Sequence, residues 1–65
     1  MNPSDFRATL KSLGLSQVGA SRLFGVTDRI VRMWGVGDRP VPDLVAKVLR
    51  LVVAGKISLD DVREA

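Results

Sequence analysis

Residues 16–34, Ser-Gln-Val-Gly-Ala-Ser-Arg-Leu-Phe-Gly-Val-Thr-Asp-Arg-Ile-Val-Arg-Met-Trp, decide the fold of this 65-residue chain. They spell two short helices joined at one glycine. A tight crossing of two helices needs small residues at the contact, and Ala20 and Ser21 supply them. The turn needs a residue that tolerates positive φ, and Gly25 does. The second helix needs an N-cap, and Thr27 is placed for it. Phe24, Val26, Val31 and Trp34 provide the apolar lock between the two. Any one of these is common in helical proteins, and their joint occurrence at these offsets predicts paired helices over about 16–24 and 27–34.

Working outward, the chain predicts four to five short helices and no strand. Ser4 can cap a first helix in which Phe6, Leu10 and Leu13 recur at helical spacing, ending near Gly14. Ser16 caps the second helix. The segment Gly35-Val-Gly-Asp-Arg-Pro-Val-Pro is expected to break the third helix, and Pro42 suits the first turn of a fourth. Leu44, Val45, Val48, Leu49, Val52 and Val53 give that fourth helix, over about 43–54, a wide apolar face that Gly55 stops. Ser58 with Asp61 three residues on is a capping-box pattern for a short fifth helix. No repeat or low-complexity tract divides the chain, so residues 1–65 read as one domain, an all-α compact bundle.

The motif stretch resembles the lambda-repressor-like helix-turn-helix proteins, the Cro or Xre type of phage and bacterial regulators. Leu-Gly-Leu-Ser-Gln (13–17) is similar to the family's entry into its first motif helix, and Leu-Phe-Gly-Val-Thr (23–27) to its turn. Val31, Trp34 and Gly37 are similar to its recognition helix and exit. Ser21 departs from the family's usual Ala at the crossing, though serine is nearly as small. The resemblance spans almost the whole chain and implies double-stranded DNA binding with helix 27–34 in the major groove.

Carried over residue by residue, the resemblance implies base contacts from Thr27, Asp28, Arg29, Arg32 and Met33. It implies backbone contacts from Ser16, Gln17, Arg22 and Arg39. An arginine fork at 29 or 32 matches guanine O6 and N7, Asp28 can accept from a cytosine amino group or orient an arginine, and Met33 can touch a thymine methyl. Each has a plainer alternative. Asp28 in a first helical turn favours the helix dipole with or without DNA, Arg29 and Arg32 can be solvated charges, Gln17 can be a surface amide, and Met33 can fill a gap.

The net charge of +3 is unevenly spread. Residues 1–40 hold six basic and three acidic groups, whereas residues 41–65 hold four of each. The half that carries the motif is the basic half, as contact with phosphates requires. With neither histidine nor cysteine, the chain lacks the commonest metal ligand and proton shuttle as well as any thiolate or disulfide. Asp60 and Asp61 are adjacent and so diverge on a helix. Neither catalysis nor a cofactor is expected.

The start, Met-Asn-Pro-Ser-Asp, has no basic segment leading into an apolar run, so no secretory leader is expected. The apolar stretch 44–54 is too short for a bilayer and is interrupted by Lys47 and Arg50. A cytoplasmic location and no membrane partner are the expectation. A chain this short buries only about 60% of its unfolded surface, which leaves a single core marginal. The fourth helix has more apolar residues than one face can bury, so Leu44, Val48, Leu51 and Val52 are candidates for a homodimer contact. Two alternatives stand beside it: Ile57, Leu59 and Val62 of the fifth helix cover the excess, or helix 43–54 holds a protein partner, as an antitoxin-like regulator would.

Overall fold

The computed structural model describes residues 1–65 and contains five helices and no strand: α1 Pro3–Ser12, α2 Gln17–Phe24, α3 Asp28–Val36, α4 Asp43–Val53 and α5 Leu59–Glu64. α1 starts earlier than expected. Asn2, not Ser4, is its N-cap, accepting from the Asp5 backbone N–H at 2.7 Å. The deciding signal is Pro3, which is preorganised for the first helical position and therefore puts the cap one residue before itself. Ser16 caps α2 by accepting from Gly19 N–H at 2.9 Å, and Gly25 closes it at φ 66°. Thr27 caps α3 by accepting from Ile30 N–H at 3.2 Å.

α3 runs past Trp34. Gly35, expected to end it, stays helical and buried, and Gly37 ends it at φ 89°. A glycine inside a helix costs only about 1 kcal/mol, and here α1 supports it: the Arg7 stem lies against Gly35, and Arg7 Nη1 donates to the Gly35 carbonyl. Pro42 is also shifted by one position. It is the N-cap of α4, with no side-chain capping bond, and Asp43 opens the helix. The capping box at α5 forms as expected, Ser58 Oγ accepting from Asp61 N–H at 3.0 Å while Asp61 Oδ2 accepts from Ser58 N–H at 2.9 Å.

α3 packs against both α1 and α2, α4 packs on α1, and α5 on α2. Eleven apolar residues form the buried core, drawn from α1 to α4 and their connections: Phe6, Leu10, Leu15, Ala20, Leu23, Val31, Trp34, Val41, Val45, Ala46 and Leu49. Phe6 and Trp34 meet edge to face with centroids 5.8 Å apart, tying α1 to α3. Phe24, expected among the core residues, leans on it from the rim, as do Leu59 and Val62 of α5. α5 does not hide the whole surplus of α4: Leu44, Leu51 and Val53 remain exposed, while Val48 and Val52 are half-buried. No helix is long and apolar enough to cross a membrane.

Candidate nucleic-acid interface

The outward face of α3 follows from its buried one. Val31, Trp34 and Gly35 turn inward, so at 3.6 residues per turn the opposite side carries Arg29, Met33 and Val36, with Arg32 at its edge, while Asp28 sits on the flank beside Gly35. Asp28, Arg29, Arg32 and Val36 are exposed and Met33 is half-buried. Arg29 and Arg32 have no carboxylate within ion-pair distance and no internal hydrogen bond, since the molecule's single ion pair joins Arg63 to Asp60 on α5. Their guanidinium groups therefore meet an incoming anion or base edge without breaking any contact inside the protein.

The N-terminus of α3 is tied to α2 at two points. Ser21 is the one buried polar residue, and its Oγ lies 2.5 Å from Asp28 Oδ1 and 2.7 Å from the Val18 carbonyl. Gln17 Nε2 donates to the Asp28 backbone carbonyl at 3.2 Å. Ser21 thus gains a partner in the first turn of α3. Asp28 orients no arginine; one carboxylate oxygen is engaged with α2, and the negative charge also favours the helix N-terminus. Thr27 uses an acceptor lone pair for its cap, which leaves its hydroxyl hydrogen free to donate outward.

The far end is held as well. The N–H groups of Gly37 and Arg39 both donate to the Met33 carbonyl, at 3.0 and 3.3 Å. Arg39 is exposed directly after α3, within the same fixed turn. Met33 itself is half-buried, whereas Val36 is 61% exposed on the arginine face. Val36 was assigned by the sequence to a helix-breaking segment, so its place on α3 could be read only once Gly37 was known to be the stop.

The remaining candidates divide. Gln17 and Arg32 share a cleft of about 120 Å³ between α1 and α3, together with Arg7 and Val36. Ser16 and Gln17 are exposed at the start of α2. Arg22 is exposed too, but lies about 100° round α2 from Ser21 and so on a different side from the one tied to α3. A larger open groove of about 540 Å³ lies between α1 and α4, lined by residues such as Asp5, Ala8, Arg50 and Val53, none of them on α3. No three His, Cys, Asp or Glu side chains converge to hold a metal ion. No protein-family model matches the chain, and neither a curated protein nor a solved structure does.

Proposed function

We propose that the chain is a sequence-specific double-stranded DNA-binding protein of lambda-repressor-like fold, a non-catalytic cytoplasmic regulator that reads the major groove with α3 and acts most simply as a repressor. The observation that carries this reading is the exposed arginine pair on α3, free of internal partners, on a helix anchored at both ends. Arg29 and Arg32 read bases with Thr27, while Arg39, Ser16 and Gln17 hold the backbone. Asp28 serves mainly to set the angle of α3 on α2. Arg22 is at most an outer phosphate contact.

Titration against random and selected duplexes over a range of salt tests the proposal. Each phosphate neutralised contributes a slope of about −0.9 in log affinity against log salt. Arg39 with an outer phosphate contact from Arg22 then gives a slope of about −1.8. Absence of binding to either duplex at low salt refutes it. The second reading, a protein-interaction module working through α4, is favoured by one observation, the exposure of Leu44 (72%) and Leu51 (43%) on one side of that helix. Docking of an apolar face is nearly indifferent to salt, so the same titration separates the two. A two-fold dimer through this face joins them, because it sets two α3 helices about one DNA turn apart.

A further inference from the structure

On the reading that α3 enters a major groove, we infer that Val36 is a sequence-determining residue that packs on the C5 methyl of a thymine. Val36 is 61% exposed although it belongs to a regular helix. Around the axis it leaves α3 about 20° from the direction of Arg29 and about 40° from that of Arg32, between the two. Whatever surface receives the two guanidinium groups therefore also receives Val36.

The chemistry of that surface narrows what Val36 can meet. Base edges in the major groove present donors and acceptors, and the thymine methyl is the one apolar group among them. A branched hydrocarbon pressed against a hydrogen-bonding edge strips water from it and returns nothing, so the same side chain disfavours the other bases. Met33, for which the resemblance offered a thymine contact beside a gap-filling role, is half-buried and stands about 60° away round the helix from Val36.

The position is also fixed enough to discriminate. Arg7 holds the carbonyl of Gly35 immediately before Val36, and the Met33 carbonyl accepts from the N–H groups of Gly37 and Arg39 just after it. Along the axis Val36 lies about 6 Å beyond Arg32 and roughly 10 Å beyond Arg29. For a helix lying along the floor of the groove, with bases stacked about 3.4 Å apart, these offsets place the thymine about two steps from the base read by Arg32 and about three from that read by Arg29.

Uracil substitution tests this directly, because it removes the methyl and nothing else. The full chain first selects its preferred site from random duplex DNA, and each thymine of that site is then replaced singly by uracil. At one thymine, at the stated spacing, the wild-type protein is expected to lose about fourfold in affinity, the worth of one methyl-sized group taken out of water. Val36→Ala, whose exposed helix-end position leaves folding intact, binds the thymine and uracil duplexes equally. Val36→Thr, which keeps one methyl, retains part of the preference. A selected site without thymine at that spacing, no uracil penalty, or a penalty that persists in Val36→Ala overturns the inference while duplex binding stands. Loss of all duplex binding by the wild-type chain overturns the major-groove reading itself, and this inference with it.

Discussion

α3 and α4 each bury one side against the same small core and leave the other side open, yet the open sides are built differently. The open side of α3 is cationic and its ends are fastened: Thr27, Ser21 and Gln17 at the start, and Gly37, Arg39 and Arg7 at the finish. The open side of α4 is apolar, with Leu44 and Leu51 in water, and its N-cap Pro42 makes no side-chain capping bond. Rigid ends matter where a few directional groups must land on defined atoms, as in base recognition. An apolar face gains from any surface that excludes water from it, so it needs less angular control. The two faces therefore suit two tasks, reading and adhesion, and substitutions should separate them.

The largest effect is expected on α3. Arg29→Ala or Arg32→Ala should weaken binding to the selected site by about 1–3 kcal/mol and relax preference at one base pair. Because neither arginine has an internal partner, thermal or denaturant stability should stay within about 0.5 kcal/mol of wild type. Competition assays on single-base variants of the site, run beside urea melts, give both numbers. A loss that is uniform over all sequences would make the arginine a phosphate contact and narrow the reading face to the other residues.

Next in size are the two glycines of the last turn of α3, Gly35 inside the helix and Gly37 at its stop, which act in opposite directions. Gly37→Ala puts a Cβ on a left-handed backbone at φ 89°, only 3.1 Å from Pro3 Cγ, so it should cost about 1–2 kcal/mol. Gly35→Ala meets nothing closer than Arg7 Cγ at 3.7 Å, an ordinary contact. Removing a helical glycine should then stabilise by about 0.5–1 kcal/mol. Urea denaturation of the two variants checks the pair, and a destabilised Gly35→Ala would mean that the Arg7 stem cannot accept the methyl.

Smaller again is Ser21→Ala. It removes the hydroxyl that bridges to Asp28, but Asp28 is exposed and can take water in its place, and alanine is the better helix former. A net loss of about 1 kcal/mol or less is expected in a denaturant melt. Base preference should blur more than stability falls, since the angle between α2 and α3 loses one of its two side-chain ties. Unchanged preference would show that Gln17 and the apolar contacts set that angle alone.

These residues also mark what the sequence could and could not disclose. The all-helical architecture was legible because apolar spacing and caps agreed, and Ser16, Gly25, Thr27 and the Ser58 box all fell where the pattern put them. The misplaced boundaries share a cause. Ser4, Gly35 and Pro42 stand out by local propensity alone, whereas Pro3 preorganises the start of α1 at Asn2 and Arg7 supports Gly35 from a different helix. Contacts between elements, such as Ser21 with Asp28, leave no periodic trace, so the role of Asp28 in joining the helices and the exposure of Val36 emerged only from packing.

The smallest stability change is expected on the face of α4. Leu44→Gln and Leu51→Gln replace exposed side chains by one of similar helix propensity, so each should shift stability by no more than about 0.5 kcal/mol. Association is the informative readout. A stable interface buries about 800 Å² on each partner, roughly a fifth of this chain's 4339 Å². An 11-residue helix about 16 Å long and 10–12 Å across has too little area on one face for that. Pairing through α4 should therefore be weak in the free protein and strong only when two copies are held side by side on one duplex. Sedimentation equilibrium should show mainly monomer without DNA and two copies on a duplex with two half-sites, bound cooperatively. The double variant should bind one half-site as wild type does and lose the cooperativity. Cooperative binding that survives both substitutions would remove α4 from the contact and leave its apolar face to a different protein.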